Sequence, residues 1–373
     1  MRCLPTRAWE SIALSKRLIL AVLLSCSACD FLSRQGQEQT PQNGAATEQA
    51  PKPSDPYAFQ HVAEPAGAPA RDDAILKEQV ALDRAGFSPG VLDGRKGAGL
   101  ALAIAAFQAS RDLPDTGELD DKTSAALFGD DPQPASRLVR IPDGFARGPF
   151  AAIPKKMGAQ AGLDSLSYRN LAEKLAERFH TTPQALVALN APGTKIGAGT
   201  VIRVPAIADQ PVARIEGDER GWGETLASLG IAADQPQADH LVVDKSQGVL
   251  KVFDDKDRLI AQFPATMGSG HDPLPLGSWT IKGVSRNPVY HYNPDLFWDA
   301  SAKDEKAVLK PGPNSPVGVV WIDLSKPHYG IHGTPEPQNI GHTESHGCIR
   351  LTNWDAARLA QMVKPGVKAL FQK

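Results

Sequence analysis

The chain has 373 residues, a length typical of two or three domains, and 42% of them are hydrophobic. Its 40 basic and 42 acidic side chains give a net charge of −2, so no protein-wide positive field indicates a nucleic-acid partner. The 33 glycines and 31 prolines, with only 6% aromatic residues, predict a loop-rich protein and not a plain helical bundle. Three of the four cysteines lie in the first 29 positions, which excludes a disulfide framework or a cysteine zinc cluster in the body of the chain.

The first 25 residues have the pattern of a secretory signal peptide. Basic residues precede an apolar run at 18–24 that is too short for a transmembrane helix, which needs about 20 residues. The sequence around Cys26 resembles a bacterial lipobox, with a leucine and a serine at the usual positions before the cysteine. The resemblance implies cleavage before Cys26 and lipidation of its thiol. Lipidation at Cys29 and an ordinary cleavage near Ala28 are the alternatives.

Residues 26–70 are predicted to form a disordered tether. Between about Ser33 and Pro69 the sequence is rich in Gln, Pro, Ala, Glu, Ser and Thr and has hardly any aliphatic side chains. Such a segment buries too little apolar surface to offset the entropy lost on ordering. A tether of this kind suits a membrane-anchored protein that works on a target nearby.

Residues 71–131 have the pattern of a compact three-helix domain. Leu76 and Val80 share one helical face, and Leu100, Ile104 and Phe107 follow at helical spacing. The G-x-x-D-G loop at 90–94, the A-x-x-x-F-Q segment at 103–108 and the L-P-x-T-G turn at 113–117 resemble the peptidoglycan-binding domain type 1. This resemblance implies binding to glycan or stem peptide, and a helical spacer that binds nothing is the alternative.

Residues 160–207 are predicted to form a small α+β module. Leu171, Leu175 and Phe179 line a first helix, a Thr-Pro pair at 182–183 begins a second, and 201–205 form a closing strand. The order is similar to a LysM module, a family that binds N-acetylglucosamine polymers. The usual G-D-T-L entry is absent, so the first strand of the module is not identified.

Residues 238–373 are predicted to be mainly β with one helix at 354–363, capped by Asn353. The strands are expected at 241–244, 249–253, 259–263, 278–284, 317–324, 329–333 and 367–371. This content favours a β-sandwich or open barrel over a parallel βαβ sheet. The fold class is thus multidomain, with a mainly β domain after a three-helix domain and a small α+β module. The aromatic-rich stretch 285–316 shows no regular pattern and is either a flap over a site or a packed loop.

The candidate chemistry lies in this β domain, in the segments I-H-G-T at 331–334 and S-H-G-C-I-R at 345–350. Cys348 is a candidate nucleophile because a neighbouring imidazole can supply its thiolate at neutral pH. His346 is two residues from Cys348, and His332 is 16 residues upstream. Gly347 allows a sharp turn, so that amides beside the cysteine can form an oxyanion hole.

Four histidines between positions 328 and 346 raise the question of a zinc site. On a strand, His328 and His332 would be about 13 Å apart, too far to bind one ion. We therefore expect no metal, and interpret His328 and His342 as loop histidines.

Residues 238–373 resemble the catalytic domain of L,D-transpeptidases of the YkuD type, on the two motifs above and the 310–318 loop. The resemblance implies that Cys348 is the nucleophile and His332 the proton acceptor and donor, oriented by the carbonyl of Gly333. It also assigns supporting or oxyanion-site roles to further motif residues, namely Ser345, His346 and Gly347.

The implied substrate is peptidoglycan. A tetrapeptide stem would form an acyl-thioester with Cys348, and an amine of a second stem or of an anchored envelope protein would accept the acyl group, without a cofactor. Arg350 is the residue of the Gram-negative branch at this position, and it either pairs with a substrate carboxylate or makes a structural salt bridge. A peptide hydrolase of the same fold and a non-catalytic wall-binding lipoprotein are the alternative functions.

These features together predict a periplasmic lipoprotein of a Gram-negative bacterium, attached to a membrane by its lipid anchor. Activity is expected to fall when acid protonates the His332–Cys348 couple, and a profile flat from pH 5 to 8 would count against His332 as the base.

Overall fold

The computed structural model describes residues 55–373 except 56, 68–72, 130–132, 219 and 302. The predicted signal peptide, the lipidation site at Cys26 and most of the tether lie outside the described residues. Within them, none of the helices has the length and apolar character needed to cross a membrane.

The prediction of a disordered tether is wrong at its C-terminal end. Strand β1 (Gln60–Val62) pairs antiparallel with β2 (Ser136–Arg140). Phe59 is buried, and its ring makes edge-on contacts with Phe145 and Phe179. A composition averaged over about 40 residues conceals this short aromatic segment, which buries enough surface to be ordered.

The predicted three-helix domain is present as α1 (Ala74–Arg84), α2 (Ala98–Ala109) and α3 (Asp121–Phe128). Leu82, Phe87 and Phe107 belong to its core. The glutamine of the A-x-x-x-F-Q segment, Gln108, accepts a hydrogen bond from the Gly117 amide (2.9 Å) and donates to the Glu118 carbonyl (2.9 Å). The motif residues that carry the resemblance therefore hold the turn between α2 and α3 in place.

The second module combines a three-stranded antiparallel sheet, in the order β1-β2-β3, with helices. The further elements are α4 (Asp143–Ala146), α5 (Met157–Gln160), α6 (Leu171–Arg178), α7 (Pro183–Ala188) and β3 (Val201–Pro205). The two helices and the closing strand agree with the prediction. The strand missing from the sequence pattern is β2, which pairs with β3 from a position well before the expected start at residue 160. Sugar binding by this module stays a prediction.

The C-terminal part is built on a nine-stranded sheet, as expected of a mainly β domain. Its elements are α8 (Trp222–Leu229), β4 (His240–Asp244), β5 (Val249–Phe253), β6 (Leu259–Pro264), β7 (Thr266–Met267), β8 (Gly277–Arg286), β9 (Tyr290–Tyr292), β10 (Ala307–Leu309), β11 (Val320–Leu324), β12 (Gly330–His332), β13 (Ile349–Arg350), α9 (Asn353–Met362) and β14 (Lys368–Gln372). The strand order is β6-β5-β4-β14-β8-β11-β12-β13-β7, with β4/β14 and β12/β13 parallel and the other pairs antiparallel. Helix α9 packs into the core of this sheet through Trp354 and Leu359.

Three details of the β domain differ from the sequence expectation. The N-cap of α9 is Thr352, whose hydroxyl accepts from the Asp355 amide (3.1 Å), because the side chain of Asn353 is buried and bonded elsewhere. Helix α8 precedes the expected boundary at 238, yet Trp222 belongs to the core of the sheet. The stretch 285–316 contains the antiparallel pair β9–β10. Each of these strands has three residues, too few for an alternating pattern to show in the sequence.

Candidate active site

Strands β12 and β13 bring the two sequence motifs together. They are parallel neighbours, with His332 in register with Arg350. Side chains two residues apart on a strand share a face, so Cys348, which directly precedes β13, is placed on the face of Arg350 and His332. All three side chains line one cavity of about 800 Å³. The structure thus unites residues that are 16 positions apart in the sequence.

His332 is held in one tautomer and kept neutral. Its side chain is buried (5% exposed), and Nδ1 donates a hydrogen bond to the carbonyl oxygen of Gly333 (2.7 Å). With the proton on Nδ1, Nε2 carries the lone pair and can accept a proton. Burial, and next the charge of Arg350, lower the pKa of His332 to about 4, against the opposing effect of the Gly333 hydrogen bond.

The thiol of Cys348 is also neutral at rest. Burial raises its pKa, while a hydrogen bond with the Gly330 backbone and the positive charge of Arg350 act in the opposite direction. Sγ lies 3.8 Å from the carbonyl oxygen of His328, to which the thiol donates. The resting couple is therefore a thiol and an imidazole, and not a thiolate–imidazolium pair.

Ser345 and Gly347 shape the turn that presents Cys348. The Ser345 hydroxyl donates to the Cys348 carbonyl (2.6 Å) and accepts from the Gly268 amide (2.7 Å). Gly347 has φ +94°, and a Cβ there would lie 2.6 Å from the ring of Tyr329. A residue with a side chain would be strained and obstructed at this position.

His346 contacts the stretch 285–316 instead of the thiol. Its Nε2 lies 2.9 Å from the carboxylate of Asp299, and Phe297 packs edge-on against its ring. Tyr290 and Tyr292 of this stretch line the cavity and also pack in a small core with Leu166. The stretch is thus both a wall of the site and a packed loop, so the two sequence alternatives are not exclusive.

Arg350 lines the cavity without an ion pair among the described residues. Its hydrogen bond runs from Nη1 to the Glu344 carbonyl (3.4 Å). Burial lowers the pKa of Arg350, while the negative charges of Cys348, Glu336 and Asp299 act in the opposite direction. Acidic side chains are therefore near the guanidinium, and both the carboxylate-binding and the salt-bridge interpretations stay predictions.

One wall of the cavity could not be predicted from the sequence. Lys155, Lys156 and Met157 line it from the connection between β2 and α6, outside the mainly β domain. Both lysines are exposed. In the part of the chain that the structure describes, no His, Cys, Asp and Glu side chains cluster in a way that could hold a metal ion.

The chain is similar in sequence to known L,D-transpeptidases. The model of the L,D-transpeptidase catalytic domain (YkuD) matches residues 238–370, and a peptidoglycan binding domain model matches residues 71–127. A Bacillus licheniformis protein that carries the name L,D-transpeptidase YkuD is 29% identical over 52% of this chain and 90% of its own length. Its namesake from Bacillus subtilis strain 168 is 46% identical over 31% of this chain and 56% of its own. A solved L,D-transpeptidase from Mycobacterium smegmatis has a TM-score of 0.30 at 22% identity, covering 36% of this chain and 59% of that one.

Proposed function

We propose that this chain, an L,D-transpeptidase with a peptidoglycan-binding domain, uses Cys348 to form an acyl-thioester with a tetrapeptide stem and passes the acyl group to an amine. One observation carries the proposal. The Cys348 thiol lines the same cavity as a neutral imidazole, whose Nδ1 is committed to Gly333 and whose Nε2 is free to take a proton.

Each half of the reaction passes one proton through His332. Nε2 accepts the thiol proton as Sγ attacks the carbonyl carbon at the L-centre of meso-diaminopimelate, and the resulting imidazolium protonates the departing D-alanine. An amine of a second stem, or of an anchored protein, then attacks the thioester and loses a proton to the imidazole. The thiol is regenerated by that proton, so no external redox agent or cofactor is required.

Arg350 is proposed to bind a carboxylate of the donor stem. Its guanidinium lines the cavity and makes no ion pair among the described residues, and a guanidinium matches the two oxygens of a carboxylate. Lys155 and Lys156 line the same cavity as the carboxylates of Asp272, Asp299 and Asp304, so its wall carries both signs of charge.

The proposed setting is the periplasm, with the chain anchored through a lipidated Cys26. The signal-like first 25 residues and the lipobox-like sequence support it. The peptidoglycan-binding domain would then keep the enzyme at the wall, and the amine acceptor would be a neighbouring stem peptide or envelope protein.

Incubation of the protein with disaccharide-tetrapeptide muropeptides, followed by mass spectrometry, tests the proposal. We expect crosslinked dimers with loss of one alanine, whereas trimmed monomers alone would indicate the hydrolase alternative. Cys348→Ala and His332→Ala should abolish both products. His342→Ala, which changes an exposed histidine of a nearby loop, is the matched control and should keep the wild-type pattern. Unchanged products in Cys348→Ala would reject the nucleophile.

A further inference from the structure

Helix α6 of the second module carries a buried acid that faces the mainly β domain. Glu177 is 4% exposed, and both of its carboxyl oxygens accept from Nδ2 of Asn353, at 2.9 and 3.2 Å. The hydroxyl of Tyr168 donates to the same carboxyl group at 3.2 Å. Glu177 lies outside residues 238–370, so this contact joins the second module to the first residue of α9.

Asn353 packs directly on the backbone that orients His332. Its Oδ1 accepts from the Val319 amide (3.3 Å) and lies so close to Gly333 and Gly318 that a Cβ on either glycine would overlap it. The Gly333 carbonyl is the acceptor for His332 Nδ1. A shift of the Asn353 side chain would therefore move the peptide that fixes the tautomer of the histidine.

The segment that precedes Glu177 in the sequence is hydrogen-bonded to the 310–318 loop. The Leu166 amide donates to the Pro311 carbonyl (3.1 Å), and the Asn314 amide donates to the Leu166 carbonyl (2.9 Å). The Asn314 side chain donates to the Ser167 carbonyl (2.9 Å). These hydrogen bonds and the Glu177–Asn353 pair thus connect one short segment of the second module to the back of the site.

Burial makes Glu177 costly to keep, because desolvation outweighs the favourable charge of Arg169 nearby. Desolvation raises its pKa to about 8, against the hydrogen bond from Asn353 that lowers it. An apolar side chain of similar size would avoid this cost. The acid at this position is explained if its oxygens are needed to hold Asn353.

We propose that Glu177 is a positioning residue for His332, acting through Asn353 and the Gly333 peptide, so that the second module completes the active site. The proposal rests on the role of His332 in the proposed function. It gives the second module a part in the reaction that is separate from any binding to the wall.

The test compares three substitutions with a matched control. Glu177→Ala removes the acceptor, Glu177→Leu removes it without leaving a cavity or a buried acid, and Glu177→Gln keeps one carbonyl acceptor. Ser88→Ala is the control, because the Ser88 hydroxyl also joins an accessory module to α9, at Asp355 (3.0 Å), but does not contact Gly333. Each variant is assayed for kcat and KM, and the folded fraction is measured by near-UV circular dichroism.

We expect Glu177→Ala and Glu177→Leu to lower kcat about ten- to a hundredfold with KM within about twofold, because a small displacement of the base has such an effect. Glu177→Gln should stay within about threefold of wild type, as should Ser88→Ala. In ¹⁵N NMR of the histidine rings, the two acceptor-free variants should show His332 as a mixture of tautomers.

Equal kcat values for Glu177→Leu and Ser88→Ala, together with an unchanged His332 tautomer, would overturn the proposal. If the wild type produced neither dimers nor trimmed monomers, the proposed function would fail instead. The tautomer measurement needs no turnover, so it would still decide whether Glu177 positions His332.

Discussion

His332 and Cys348 rest as a neutral pair because burial disfavours the charged form of both. It lowers the pKa of the imidazole and raises that of the thiol. The motifs alone suggest an acid limb near the ordinary histidine pKa, about 6.5. Since the pKa of His332 is about 4, protonation of this residue should not reduce activity between pH 5 and 8. The expected loss of activity in acid is thereby moved to lower pH.

Arg350 should set the position of that acid limb. Its cation disfavours the imidazolium, so Arg350→Gln is expected to raise the pKa of His332 and to move the acid limb of kcat/KM upward from about pH 4. At pH 7 the variant should also lose about ten- to a hundredfold in kcat/KM, because a hydrogen bond to a charged substrate group is worth about 1.5–3 kcal/mol. The measurement is a profile of kcat/KM against pH for the tetrapeptide donor.

Arg258→Gln serves as the control for this profile, since Arg258 is an exposed arginine that pairs with Asp254 away from the cavity. It should leave both the acid limb and the value at pH 7 unchanged. An acid limb that stays at its wild-type position in Arg350→Gln would contradict the electrostatic role assigned to Arg350.

At the scale of elements, the turn before β13 depends on a glycine for two separate reasons. Gly347 has φ +94° and has the Tyr329 ring against the position of a Cβ, whereas Gly341 has φ +77° and open space around it. Gly341→Ala therefore measures backbone strain alone, about 1–2 kcal/mol. Gly347→Ala adds the overlap with Tyr329, so it should lower the free energy of unfolding by more and reduce activity more than tenfold.

Denaturant unfolding and the muropeptide assay check this pair of variants. Gly341→Ala is expected to keep near-wild-type turnover at equal folded fraction. If Gly347→Ala were no more harmful than Gly341→Ala in both measurements, the fit between the turn and Tyr329 would not matter for the site.

Elements with a strong local pattern were predictable, and those defined by tertiary contacts were not. Alternating apolar residues identify β4, β5 and β6, and helical spacing identifies α6. Strands β7 and β13 have two residues each, too few for any period to appear. The N-cap of α9 lies one residue before the predicted position, because Asn353, a good capping residue by type, binds Glu177 instead.

At the scale of the whole molecule, the sequence motifs identify the two reacting residues but not their surroundings. Cys348 and His332 lie in motifs whose residue types indicate a nucleophile and a base. Lys155 and Glu177 belong to a different module and carry no local signal, so only the docked structure shows that they reach the cavity or its back wall. When two modules form a site, sequence motifs in one of them therefore identify only the residues of that module.

Docking through buried acids should also make the stability of the protein depend on pH. Burial raises the pKa of Glu177 from 4.5 to about 8 and that of Asp355 from 3.8 to about 6. A carboxyl whose folded pKa is raised stabilises the fold fully below its unfolded pKa, and this contribution is lost as pH rises through the folded value. The stabilising contribution of Asp355 is thus lost between about pH 4 and 6, and that of Glu177 is lost more gradually, up to about pH 8.

We expect the Tm of the wild type to decrease from pH 6 to pH 8, and Glu177→Gln to flatten the curve in this window by removing the ionisation. Asp355→Asn is the reciprocal control, since it should change the curve below pH 6 and leave the decrease above pH 6 in place. Differential scanning calorimetry at half-unit pH intervals separates the two windows. If the slope of Tm against pH above pH 6 were the same in Glu177→Gln and wild type, Glu177 would not ionise within the folded protein over this range. The stability of the contact between the modules would then not depend on the charge of Glu177.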